Sequence, residues 1–357
     1  MQKRTKVIVA LVAIIAVVGA TTVEILTSQA PGDPCTGITT AAASRTASSL
    51  APVKLVVTLS STSKSVASAR VAATSHPSST PPIAVVAAEN FWGSLVAQLG
   101  GNQTSVVSIV TDPNTDPHEY EVNASVARDI SNAQYVIVNG VGYDQWAISI
   151  IQADGNSGQV VLNVGDLNGV TVGGGIQSGN PHMWYNPVYV NATVAAMYSD
   201  LVSIRPSATA YFQAQYAALN VSLGQLYGEA TAIRDNFAGT EVASTESIFV
   251  YLANFTHLDL VSPPAFMEAV ADGNDPPPQS VVEFQCQLES GHVKVLVFNE
   301  QTVTPVTDSM KSIAASNNVT VVGITETIQP PTYTFQQWMG AEYLLLYDAL
   351  NGNALGR

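Results

Sequence analysis

Five histidines occur among 357 residues, and His76 lies in a Ser/Thr/Ala-rich tract, which leaves His118, His182, His257 and His292 in the body of the chain. Imidazole nitrogens and carboxylate oxygens are natural donors for a borderline divalent metal ion, and four such ligands close its shell. His118 falls in TDPNTDPHEYE (111–121) and His182 in NPHMWYNP (180–187), each directly after a proline in a turn-like loop. Glu246 follows the run TEVAST and Glu326 follows VTVVGIT. Singly, each has an ordinary reading. A loop histidine is usually a solvated polar group, and a glutamate after a strand usually opens a helix, whose dipole favours it. Two imidazoles and two carboxylates converging on one point would instead make a complete first shell for a metal ion.

The elements that must position these residues are legible as short β-branched runs separated by helix-sized segments. IAVVAA (83–88), SVVSIVT (105–111), YVIVNG (135–140) and QVVLNV (159–164) form a first group of predicted strands. TEVAST (240–245), VKVLVFN (293–299) and VTVVGIT (319–325) form a second. Such runs indicate buried parallel strands in α/β units. His118, Glu246 and Glu326 each follow a predicted strand, and ligand sites in open α/β sheets form at that carboxyl edge. Between the groups, residues 207–237 read as one long helix opened by Pro206, although Gly224 and Gly228 weaken its interior by roughly 1 kcal/mol each. The expected fold is therefore α/β, with two (βα)-type lobes (83–200 and 240–357) joined by a linking helix (201–239).

The N-terminal quarter reads differently. Lys3, Arg4 and Lys6 precede an unbroken apolar or small stretch at 7–23, the charge order of an export signal, so 1–34 is expected to be a signal peptide or N-terminal membrane anchor. Residues 35–82 are a Ser/Thr/Ala-rich stalk, too polar to form a core. The residues before Cys35 are Gly32-Asp33-Pro34, a poor match to a lipid-attachment signal, and two cysteines so placed do not suggest a disulfide framework. Six Asn-x-Ser/Thr sequons permit glycosylation. From residue 83 onward only six basic residues face 25 acids, which argues against a nucleic-acid partner and fits a cationic ligand.

Five segments in order carry a family resemblance: NTDPHEYE (114–121), VNGVGYDQW (138–146), NPHMWYNP (180–187), STESIFVYLA (244–253) and GITETI (323–328). They resemble the successive signatures of zinc/manganese-type solute-binding proteins of ABC importers, from about residue 83 to the C-terminus. The resemblance implies two α/β lobes bridged by a rigid helix, one ion between the lobes, and ligands at His118, His182, Glu246 and Glu326. Zinc-selective members usually place a histidine where Glu246 stands, and the last ligand is most often Asp rather than the longer Glu326. The loop at 165–180 is Gly-rich and lacks the histidines that many zinc members carry there. Manganese is therefore favoured over zinc as the transported ligand.

The implied function is extracytoplasmic capture of that ion by an exported, membrane-tethered monomer and delivery to an ABC permease with its cytoplasmic ATPase. No Walker motif, HExxH or nucleophile elbow occurs in the chain, and four protein ligands leave no open catalytic position, so no enzyme is expected. A metal-dependent cell-surface adhesin is the alternative, and a metal-dependent hydrolase using Glu300 or Asp116 as base a more distant one. Glu300 is the rival carboxylate, better suited to holding a ligand than to binding metal itself. His257 and His292 read as surface or capping residues, and Trp146, Trp184 and Tyr185 as packing.

Overall fold

The computed structural model describes residues 35, 80–112, 120, 122–154, 158–172 and 179–353. The predicted signal or anchor segment, most of the stalk and His118 lie outside these residues. All seven predicted strands form. β1 (Ile83–Glu89), β2 (Thr104–Val110), β3 (Tyr135–Val138) and β4 (Val160–Asn163) make one sheet in the order β2-β1-β3-β4. β5 (Glu241–Ser244), β6 (Asp259–Leu260), β7 (Val295–Asn299) and β8 (Thr320–Ile324) make the other in the order β6-β5-β7-β8. Every pairing is parallel. Only β6 escaped the sequence reading, because two residues at a sheet edge leave no apolar run to detect.

The second sheet repeats the order of the first. In each, the chain steps from its first strand to an edge and then returns to the other side, so the direction of winding reverses between β1 and β3 and again between β5 and β7. Crevices for ligands open at such switch points, beyond the carboxyl ends of the strands.

Both faces of the central strands β1, β3, β5 and β7 are buried, and alternate residues serve different cores. Val85, Ala87, Tyr135 and Ile137 point into the largest cluster, while Val86, Ala88, Val136 and Val138 point into a smaller one with Val126 and Ile130 of α2 (Ala124–Asn132). In the second sheet Val242, Val295 and Val297 join the largest cluster, and Ala243 and Leu296 face Phe266, Phe284 and Met310. The largest cluster thus takes one face of each sheet.

What fills the space between is α6 (Thr209–Phe237), 29 residues long, which spans about 44 Å at 1.5 Å per residue. Its buried residues Phe212, Leu219, Leu223, Leu226, Ala230 and Ile233 recur every three, four or seven positions, one stripe on a helix surface. It packs on α1 (Asn90–Gly100) and α5 (Pro187–Ile204) of the first lobe, and on α7 (Val250–Thr256) and α11 (Phe335–Leu350) of the second. Pro206 opens a short 3-10 turn (Pro206–Ala208) ahead of α6, and residues 201–204 belong to α5. Helix starts follow their sequence signals: Asn123 caps α2, Asn186 caps α5 with Pro187 behind it, and Thr334 forms a capping box with Gln337 on α11.

One expectation is corrected. Cys35 and Cys286 are both disulfide-bonded, and neither is a free thiol. The sequence placed one cysteine at a polar tract and the other within the body, on α9 (Pro278–Glu289), and spacing alone carries no information about pairing.

Candidate metal centre

Three of the four predicted ligands meet. Donor atoms of His182, Glu246 and Glu326 all lie within 4.8 Å of one another, and the residues are 0%, 1% and 0% exposed. The fourth, His118, follows β2 in sequence and lies outside the described residues. His182 comes from the first lobe and the two glutamates from the second, so the cluster lies where the lobes meet.

His182 precedes a 3-10 turn (Met183–Tyr185) and arrives with its ring already oriented. Asn180 Oδ1 accepts the His182 backbone N–H at 3.0 Å and lies 2.8 Å from Nδ1, while Asn180 Nδ2 donates to the carbonyl of Ser247 at 2.7 Å. With the amide held that way round, Nδ1 must carry the hydrogen, so Nε2 holds the lone pair a metal needs. Ser247 and Tyr251, whose hydroxyl donates to the Asn180 carbonyl at 3.0 Å, both belong to the second lobe. The histidine loop is therefore fastened across the lobe boundary.

Glu246 follows β5 in extended conformation and occupies the cap position of a 3-10 turn (Ser247–Phe249), yet its side chain makes no capping bond. The ordinary helix-start explanation does not account for it. Glu326 follows β8 in a loop, and its backbone N–H and that of Thr327 donate to Gln301 Oε1 at 2.8 and 2.9 Å. Its carboxylate accepts from Tyr143 at Oε2, 2.5 Å, and from Asn299 Nδ2 at Oε1, 2.5 Å. The same amide nitrogen donates to Glu246 Oε1 at 2.6 Å. Asn299 ends β7 beside the β5 switch point, where the topology puts it between the two glutamates.

Behind this cluster a second polar network joins the lobes. The Tyr185 hydroxyl lies 2.5 Å from Glu342 Oε2 and 2.8 Å from the Thr325 carbonyl. Thr325 donates its backbone N–H to Glu342 Oε1 at 2.9 Å, and Trp338 Nε1 donates to Thr325 Oγ1 at 2.8 Å. Burial pushes the Glu342 carboxyl up to about 7 despite these bonds. At the equivalent edge of the first sheet, Glu89 and Asp144 are both buried, and their charges disfavour each other's ionised form. Burial raises Asp144 to about 6, although it accepts the backbone N–H groups of Asn139 and Gly140, and burial with the Asp144 charge raises Glu89 well above its usual range.

The remaining sequence candidates fall outside the cluster. Glu300 is exposed and lies over Gly323 of β8, where an added Cβ would meet its carboxylate. His257 caps α7 in the left-handed conformation, and His292 is exposed. Trp184 and Tyr185 are buried packing residues, with Trp184 stacked on Phe91. The sequence reading missed the supporting residues Asn180, Tyr143, Asn299, Gln301 and Glu342. Asn180 and Tyr143 lay inside segments already singled out, and Asn299 is the residue before Glu300. Glu342 sits mid-helix with no local signal at all.

The chain belongs to the family described as zinc-uptake complex component A, periplasmic, whose sequence pattern matches residues 85–349. Among solved structures, the periplasmic zinc binding protein TroA from Treponema pallidum has a TM-score of 0.63 at 15% identity, covering 76% of this chain and 99% of that one. The solute-binding protein FpvC from Pseudomonas aeruginosa, solved in complex with Mn2+, has a TM-score of 0.60 at 20% identity, covering 75% and 97%. At these identities the likeness is one of fold. A curated relative from Treponema pallidum (strain Nichols) is 35% identical over 81 residues, 23% of this chain. The chain aligns with about a quarter and about half of the length of the curated relatives it matches.

Proposed function

We propose that this protein is an extracytoplasmic receptor that takes one divalent transition-metal ion, zinc or manganese, from its surroundings and delivers it to an ABC permease. The observation that carries this reading is the buried convergence of His182, Glu246 and Glu326 from two lobes. An imidazole with its lone pair directed by Asn180 and two buried carboxylates fit a divalent ion. Without a cation, two buried anions at this spacing repel one another. His118, which follows β2 in sequence, is proposed as the fourth ligand. The disulfide state of Cys35 and Cys286 fits an oxidising compartment outside the cytoplasm, in keeping with an export signal at 1–34 that also tethers the protein. Capture without chemistry follows from a shell that four side chains complete.

His118→Ala and Glu246→Ala test the ligand set, with bound metal measured by elemental analysis after purification without chelators. Each variant is expected to lose stoichiometric metal, and retention by both would overturn the assignment. Binding is also expected to weaken as pH falls through the histidine range, because ligating imidazoles must be neutral. Added zinc or manganese should therefore raise the melting temperature strongly at pH 7 and weakly at pH 5. An equal shift at both would contradict histidine ligation.

A further inference from the structure

Asn299 is fully buried, and its amide can sit only one way round, because Oδ1 accepts the backbone N–H of Gln301 at 2.8 Å. Nδ2 therefore faces the glutamates, 2.6 Å from Glu246 Oε1 and 2.5 Å from Glu326 Oε1, with Thr302 Oγ1 alongside at 3.0 Å. The two N–H groups of one amide thus face three acceptors, of which one oxygen of each carboxylate is nearer than Thr302. A carboxylate that binds a metal through both oxygens must turn both toward the ion. Here such a rotation works against the bond from Asn299 to Oε1 of each glutamate, and for Glu326 also against the bond from the Tyr143 hydroxyl to Oε2.

The number of oxygens offered bears on which ion is held. Zinc is satisfied by four donors in a tetrahedron, whereas manganese suits octahedral, oxygen-rich surroundings. At a site this deeply buried, bidentate carboxylates are the ready source of extra oxygens. We propose that Asn299 is a positioning residue that holds Glu246 and Glu326 to one metal-binding oxygen each, and so selects zinc over manganese. The proposal rests on the receptor reading above and deepens it. It also reverses the preference that two carboxylate ligands suggest when counted without their neighbours.

The test uses the purified full chain, with Zn2+ and Mn2+ each titrated calorimetrically at pH 7 into wild type, Asn299→Ala and Asn299→Ser. Serine preserves a small polar group too short to reach both carboxylates, and serves if the alanine variant fails to fold. X-ray absorption at the zinc edge reports coordination number in the same samples. Wild type is expected to prefer zinc, four-coordinate. In the variants the zinc-to-manganese affinity ratio should fall about 10-fold or more, the scale on which residues that hold ligands act, and the zinc coordination number should rise. A merely structural role for Asn299 would weaken both ions alike and leave the ratio and the spectrum unchanged, which overturns the proposal while leaving the receptor intact. Wild type binding neither ion would overturn both.

Discussion

His182, proposed above as a ligand, shows how far a side chain's orientation is decided by neighbours outside the proposed shell. Its ring is turned and its tautomer set by Asn180, two residues upstream, which in turn is held by Ser247 of the opposite lobe. Asn180→Ala removes both effects at once, since the imidazole can then rotate and populate the tautomer with hydrogen on Nε2. We expect metal affinity to fall about 10- to 100-fold, the usual cost of losing a partner of a ligating histidine, with the fold retained by circular dichroism. Affinity unchanged within error would show that packing alone orients the ring. At this scale the sequence was informative about the residues proposed as ligands and nearly silent about those that hold them. His182, Glu246 and Glu326 announce themselves by chemical type after a loop or a strand. An asparagine in the same places does so only once its neighbours in space are known, as Asn299 illustrates.

Among the elements, α6 was legible over its length because Pro206 lies just ahead of it and no proline interrupts it, although the expected linking helix at 201–239 also took in the end of α5. Its one local inconsistency, Gly224 and Gly228, lies on open surface: a Cβ added at either would meet nothing within 4 Å. No close approach demands glycine there. Gly224→Ala and Gly228→Ala should each stabilise the protein by about 1 kcal/mol, the difference in helix propensity, and their effects should add. A chemical denaturation series measures this, and destabilisation by either would mean that α6 needs a flexible point. Strand positions were equally readable, since buried parallel strands are β-branched runs. What periodicity could not supply was the pairing order, and with it the fact that β5 and β7 are neighbours whose ends bring Glu246 and Asn299 together.

For the molecule as a whole, the buried carboxyl groups set a pH dependence opposite in direction to that of metal binding. Glu342 ordinarily titrates near 4.5, but in the folded protein it keeps its proton to about 7. Between those values the native state holds a proton that the unfolded chain has released, so stability falls as pH rises through the window and levels off above it. Asp144, raised from 3.8 to about 6, acts in the same sense at slightly lower pH. Glu342→Gln removes one contributor. In metal-free protein, the difference in melting temperature between wild type and this variant should shift in favour of the variant as pH rises from 4.5 to 7. A difference independent of pH would show that Glu342 titrates normally. None of this was visible in composition, which reports the acids and not which of them are buried.

The continuous core that α6 builds with one face of each sheet limits how an empty receptor can differ from a loaded one. Swinging the lobes apart would expose Leu219, Leu223 and Leu226 to water, at about 25 cal/mol for every Å² uncovered. On the proposed function, we expect ion binding to change local order in the segments that carry His182, Glu246 and Glu326 more than the arrangement of the lobes. Amide hydrogen exchange can read that change directly: zinc should slow exchange at 181–186 and 325–328 and leave α6 as it was. Faster or slower exchange along α6 would mean that the spine takes part after all.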